Sequence, residues 1–192
     1  KDMSFMARFR VCGSAAGALL NWISANQVDG AAGRVTHTQW LNDAGRIEAD
    51  LTVTKLDHGR YLVVASDTAH RHAAAWMQRH IAAGAQVFVS DVTSGLALLS
   101  IQGPRARALM QSLTSADMSD AAFPFRGAQE IDIGLARVLV LRISYLGELG
   151  YELYIPAEHA LHVRPAQPQR LRARVFTRFD GNLAGQEGLP DL

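Results

Sequence analysis

Residues 33–56 constrain the fold of this chain more than any other stretch. Two runs rich in β-branched and aromatic residues flank the cluster Asn42, Asp43, Ala44 and Gly45. Such residues favour a turn, and the glycine can take a positive φ. A two-residue or a four-residue loop centred there predicts the same register, with Leu41 opposite Arg46 and His37 directly opposite Asp50. Side chains alternate along strands, so Trp40, Ile47, Ala49 and Leu51 share one face. His37, Gln39, Glu48, Asp50 and Thr52 share the other. The apolar face explains why a hairpin forms. The polar face either meets water, as one face of an antiparallel sheet often does, or serves a site.

Composition narrows the classes. A chain of 192 residues with 48% hydrophobic and 19% charged residues can bury a core in one domain, or in one large and one small lobe. A net charge of +1 implies no general attraction to nucleic acid or to an anionic membrane. Cys12 is the single cysteine, so no internal disulfide forms. No run reaches the ~18 apolar residues of a membrane-spanning helix. The 19 basic residues comprise 17 Arg and two Lys, which speaks to a GC-rich genome and not to mechanism.

Taken in order, the chain predicts a helix over residues 15–25 capped by Ser14, with Ala18, Leu19, Trp22 and Ile23 at helical spacing. After the hairpin come a strand over 60–65 and a helix over 68–83, capped by Ser66 or Asp67 and ended by Gly84. His70, His72 and His80 lie on or near that helix without the i,i+4 spacing of a metal-ligand pair, so they read as structural or solvated. Strands follow over 87–92 and 96–101. Gly103 and Pro104 open a helix over 105–113. Residues 130–133 and 137–145 pair through a turn at Gly134. The return strand over 151–155 puts Glu152 and Tyr154 on one face. Pro156 starts a helix carrying His159 and His162.

Two motifs carry a resemblance. The segment Gly-Arg-Ile-Glu-Ala-Asp-Leu-Thr-Val-Thr, residues 45–54, and the segment Tyr-Leu-Gly-Glu-Leu-Gly-Tyr-Glu, residues 145–152, resemble motifs of the glycine-cleavage T-protein (aminomethyltransferase) family. The wording is closest to the folate-binding half of dimethylglycine and sarcosine dehydrogenases. The resemblance runs from about Asp2 to Val163. It implies an α+β fold: the folate-binding module of the aminomethyltransferase fold, with mixed or antiparallel sheets and packed helices, truncated. It divides the chain into a first lobe over 1–93, an incomplete second lobe over 94–163 and an anomalous tail over 164–192. The abrupt start suggests that N-terminal residues of the module are missing.

The reaction implied is tetrahydrofolate-dependent transfer of a one-carbon unit from a methylated or aminomethyl amine. By resemblance Asp50 is the catalytic carboxylate, managing the proton lost as the carbon joins the reduced pterin. Glu152 is the residue that accepts the pterin N3–H and 2-amino group as a bidentate pair. Tyr145 lines the same site. His37 stands where the T-protein has a ligand-contacting tyrosine, and by the predicted register it orients Asp50 or relays its proton. Glu148, in the intervening turn, reads as solvated.

No Gly-x-Gly-x-x-Gly fingerprint occurs, so FAD would belong only to an upstream domain absent from this chain. A stand-alone aminomethyltransferase served by a lipoyl carrier protein is the first alternative. An inactive or folate-binding-only module is the second. The compartment implied is the bacterial cytoplasm, or the mitochondrion in a eukaryote. The tail holds five Arg and half of the six Pro without periodicity. It reads as a disordered basic segment or, from 180 to 190, as a frameshifted form of the family's Leu-Arg-x-Glu-Lys-Gly-Tyr segment. The gene's nucleotide sequence decides between them.

Overall fold

The computed structural model describes residues 1–163, so both readings of the tail lie outside the described residues. Among the described residues, nine strands build two sheets. The first contains β1 (Ala7–Cys12), β2 (Arg34–Leu41), β3 (Ile47–Asp57), β4 (Arg60–Ala65) and β5 (Phe88–Asp91), in the order β2-β3-β4-β1-β5. The second contains β6 (Leu96–Gln102), β7 (Ala128–Ile133), β8 (Ala136–Leu141) and β9 (Gly150–Pro156), in the order β6-β9-β8-β7. Every pairing between these strands is antiparallel. The helices are α1 (Ala16–Ile23), α2 (His70–His80), α3 (Ala106–Gln111) and α4 (Ala160–Val163).

Three apolar cores stack these elements into four layers. On the first sheet, Phe9, Val11, Trp40, Leu51, Val53 and Val63 pack against Leu20 of α1 and Met77 of α2. On the second, Ile101, Ile131, Val138, Val140 and Leu153 pack against Met110 of α3 and Val163 of α4. The remaining faces meet each other: Val35, Leu62 and Val64 of the first sheet pack with Leu98, Leu141 and Tyr154 of the second. Each sheet is therefore covered on both sides, and the alternation of side chains decides which residues enter the space between them.

From Ala49 onward the hairpin has the predicted faces but not the predicted register, and Glu48, expected on the face of Asp50, instead meets His72 of α2 on the helix-covered side. Asn42 and Arg46 close a loop of three residues, with the Asn42 N–H on the Arg46 carbonyl at 3.0 Å and Gly45 at φ 72°. Trp40 then pairs with Ala49 while Leu41 pairs with Ile47, which leaves Glu48 as an extra residue in β3. Loop and bulge together slide the pairing by two places. Asp50 lies opposite Gln39, and His37 lies opposite Thr52. A slip of one would have turned the strand over, whereas a slip of two keeps each side chain on its face. Ile47, expected inside, lies beside the bulge and is exposed.

Helix ends and rotation also differ from expectation. Ser14 caps nothing: its hydroxyl donates to Gln86 Oε1, and α1 starts without a side-chain cap. The inward stripe of α1 is Ala16, Leu19, Leu20 and Ile23, leaving Trp22 80% exposed. Asn21 Oδ1 accepts the N–H groups of Val28 and Asp29 at 2.7 and 3.0 Å, which fixes the rotation of the helix. The second helix divides into a 3₁₀ turn at Asp67–Ala69 and α2, which stops at His80 before Gly84 is reached. None of the described helices is long and apolar enough to cross a membrane.

Asp29 ties the loop after α1 to the sheet. Its Oδ1 accepts from Lys55 Nζ at 2.6 Å and from the Tyr61 hydroxyl at 2.5 Å. The Lys55 and Tyr61 hydrogen bonds hold its carboxyl below the usual range. The stability this supplies is present above the unfolded carboxyl value and is lost as pH falls through the folded one. Asp29→Ala orphans the Tyr61 hydroxyl and is expected to cost about 2 kcal/mol. Urea unfolding with an unchanged m-value checks this.

Candidate functional site

The even-numbered positions of β3 from Asp50 onward look toward the second sheet, because Thr52 and Thr54 pair with Val64 and Leu62 of the inter-sheet core. On β2 the same face carries Val35, His37 and Gln39. Across the interface, β9 presents Glu152 and Tyr154, and Tyr154 belongs to that core. The two motifs thus present their carboxylates on the two sheet faces that turn toward each other.

Asp50 is held by its own hairpin. His37 Nε2 lies 2.7 Å from Asp50 Oδ1, and Gln39 Nε2 donates to the same oxygen at 2.9 Å. The His37 contact is diagonal across the ladder, a span that a long side chain bridges. Gln39 is the direct cross-strand partner. Both His37 and Asp50 are more than half exposed, so the carboxylate is oriented without being sealed from solvent.

Glu152 sits in the opposite environment. It is 8% exposed and pairs across the ladder with Ser100 and Leu141. Its Oε2 accepts the Tyr154 hydroxyl at 2.7 Å. Among the described residues Oε1 has no hydrogen-bond partner. Burial pushes the carboxyl pKa up, and the Tyr154 hydrogen bond opposes it. A half-satisfied, largely buried carboxylate can take a planar pair of N–H donors, as the pterin edge presents. The donor set therefore fits the group that the resemblance implies.

The structure does not bring Tyr145 to Glu152. Tyr145 lies in the turn after β8, 82% exposed, because the strand ends at Leu141 and not at 145. Glu148 lies in the same turn, where its carbonyl accepts the Ser144 hydroxyl at 2.5 Å. Each of the three histidines of α2 has its own partner. His70 meets Asp91 at 2.6 Å, His72 meets Glu48 at 2.7 Å, and His80 meets the Trp76 carbonyl at 2.8 Å. His162 Nε2 accepts the Leu135 N–H at 3.0 Å. Among the described residues no group of three or more His, Cys, Asp or Glu could hold a metal ion.

Sequence reasoning missed one partner of Asp50 and one buried cation. Gln39 stood on the polar face, but only the shifted register sets it opposite Asp50. Arg8 is fully buried on the inner face of β1, where it pairs with Val64. Nothing in its local sequence marks it as such.

Comparison with known proteins bears on this arrangement. The GCVT N-terminal domain family matches residues 1–166. The chain is 34% identical over 165 residues to a 4-methylaminobutanoate oxidase (formaldehyde-forming) of Paenarthrobacter nicotinovorans, covering 86% of this chain and 20% of that protein. It is 32% identical over 154 residues to human mitochondrial dimethylglycine dehydrogenase, covering 80% of this chain and 18% of that protein. With the aminomethyltransferase of Bacillus subtilis it is 33% identical over 204 residues, covering 100% of this chain and 56% of that protein. The chain thus spans about a fifth of the oxidase and the dehydrogenase and about half of the aminomethyltransferase. In structure it resembles the glycine cleavage system aminomethyltransferase T of Bartonella henselae, with a TM-score of 0.73 at 24% identity, over 86% of this chain and 44% of that one. That likeness establishes the α+β aminomethyltransferase fold, of which this chain covers a part. The long family match, the shared antiparallel sheets and relatives above 30% identity lead to one conclusion: this chain belongs to the GCVT (aminomethyltransferase) family, through its N-terminal domain.

Proposed function

We propose that this chain is the folate-binding module of a tetrahydrofolate-dependent one-carbon transferase, acting on a methylated or aminomethyl amine as in the dimethylglycine and sarcosine dehydrogenases. The observation that carries the reading is the placement of two carboxylates on the inward-turned faces of the two sheets: an exposed, oriented Asp50 on the first, and a buried, half-satisfied Glu152 on the second. Bound tetrahydrofolate supplies the nucleophilic nitrogen that takes up the one-carbon unit. Glu152 accepts two N–H donors from the pterin edge and fixes its in-plane orientation. Asp50 accepts the proton released at the reacting nitrogen and stabilises positive charge beside it. His37 and Gln39 keep the Asp50 oxygen aimed.

A second reading has its own support. The similarity to the Bacillus aminomethyltransferase runs over the whole chain, which favours a stand-alone enzyme receiving its carbon from a lipoyl carrier. Retention of a lipoylated carrier protein by the chain separates the two readings.

The test is calorimetric titration of the folded 192-residue chain with tetrahydrofolate, followed by single-turnover transfer from a formaldehyde donor. Saturable binding and transfer uphold the proposal. A folded chain that binds no folate refutes it. His37→Phe, which keeps a ring of similar size, is expected to alter the pH dependence of transfer. It is also expected to slow transfer about tenfold, the weight of one hydrogen bond to a charged group. An unchanged pH–rate profile would remove His37 from the mechanism.

A further inference from the structure

The two sheets part at the end of β3 remote from Asp50. Arg10 of β1 pairs with Leu62, and Glu130 of β7 pairs with Leu139, which in turn pairs with Tyr154. Residues directly opposite each other share a face. Arg10 and Glu130 therefore stand on the inward faces, in line with Leu62 and Tyr154 of the inter-sheet core. Unlike those two they are exposed, because a cleft of about 250 Å³ opens between the sheets there. Arg10, Leu56, Asp57, Arg60, Glu130 and Leu139 line it. Leu56 lies about 20 Å along β3 from Asp50, at a rise of ~3.3 Å per residue, so the cleft is separate from the carboxylate site. A backbone seam beside it joins the sheets: the Gly33 N–H donates to the Lys55 carbonyl and the Ala128 N–H to the Gly33 carbonyl, each at 2.8 Å.

The charges on its rim are unequally committed. Arg60 Nε donates to both oxygens of Asp57, at 2.8 and 2.7 Å. Arg137 Nε lies 3.6 Å from Glu130 Oε2, beyond hydrogen-bond length, while its Nη1 donates to Asp132 at 3.2 Å. Among the described residues Glu130 accepts no hydrogen bond, and Arg10 has neither a hydrogen bond nor an ion pair. One unspent cation on the first sheet and one unspent acceptor on the second thus border the same cleft, with Leu56 and Leu139 as its apolar lining. Its volume lies below the ~300–1,000 Å³ of clefts that bury a drug-sized ligand. It suits a small molecule and not a whole folate.

We propose that this cleft binds a small zwitterion, an ω-amino carboxylate. Its carboxylate pairs with the Arg10 guanidinium, whose planar donors match two oxygens at once. Its ammonium donates to Glu130, and its carbon chain lies along Leu56 and Leu139. A simple carboxylate would leave Glu130 unmet, and a simple amine would leave Arg10 unmet. The bound molecule bridges β1 of the first sheet to β7 of the second, next to the seam at Gly33.

The experiment is calorimetric titration of the full chain with ω-amino carboxylates of three to six carbons, and with the matching carboxylates and amines. Saturable binding of at least one zwitterion is expected, with its carboxylate and amine counterparts each about tenfold weaker, the weight of one charge-assisted hydrogen bond. Arg10→Met and Glu130→Gln should each weaken the zwitterion by a similar factor. Both residues are exposed, so both variants are expected to fold, which circular dichroism checks. Tetrahydrofolate binding by either variant should stay within twofold of wild type, so the outcome is independent of the folate reading. No saturable binding of any zwitterion up to ~10 mM would overturn the inference. So would a simple carboxylate or amine binding as tightly as the zwitterion, or binding that survives both substitutions.

Discussion

Asp50→Asn is expected to slow one-carbon transfer by about 10²–10⁴-fold, the contribution of a positioned general base. The fold should hardly notice. Asp50 is more than half exposed, and the asparagine oxygen can still accept from His37 and Gln39 as the carboxylate does. Substitutions at exposed positions usually change stability by about 0.5 kcal/mol or less. The variant therefore removes a charge and a proton acceptor without removing a shape. Single-turnover transfer and urea unfolding on the same preparations read both quantities. An unchanged rate would move the proton to another group. A large loss of stability would make Asp50 a structural residue.

Glu152→Gln has a different signature. Hydrogen bonds to a charged group contribute ~1.5–3 kcal/mol each, and the amide offers the pterin edge a donor where the carboxylate offered an acceptor. Loss of one such interaction and part of a second weakens folate binding by ~100-fold. The same change affects stability through pH. Burial raises the Glu152 carboxyl above its ordinary value, so the folded chain binds this proton more tightly than the unfolded chain does. The associated stability is present below the unfolded value and is lost as pH rises through the folded one. Glutamine has no proton to lose. Glu152→Gln is therefore expected to gain stability relative to wild type between about pH 4 and pH 7, measured by urea unfolding at both ends. Weak binding without that gain would place Glu152 at the pterin but outside the low-dielectric interface.

The faces of the strands were legible in the sequence because the period of two is a local property. Trp40, Ala49, Leu51, Glu152 and Tyr154 all point where alternation sends them. The register of the hairpin was not legible, because it depends on one extra loop residue and on Glu48, and neither leaves a mark in composition. Helix rotation was not legible for a similar reason. Leu19 and Ile23 fit a stripe with Trp22 as well as one with Leu20, and the Asn21 tether to the next loop decides between them. The candidate site divides in the same way. Its two carboxylates stand out through motif wording, whereas Gln39 enters only through the shifted register that sets it opposite Asp50.

The loop and bulge of the central hairpin have a consequence for how related chains can differ. Both irregularities lie at the tip, beyond the Trp40–Ala49 pair. A residue gained or lost in the loop, or loss of the bulged Glu48, can be absorbed there while Ala49 stays opposite Trp40 and Asp50 stays opposite Gln39. The strand beneath the tip is thus insulated from length changes above it. A gap that an alignment opens between Asn42 and Glu48 leaves the residue beneath Asp50 its equivalent, whereas a one-residue gap between Ala49 and Leu51 would turn the strand over.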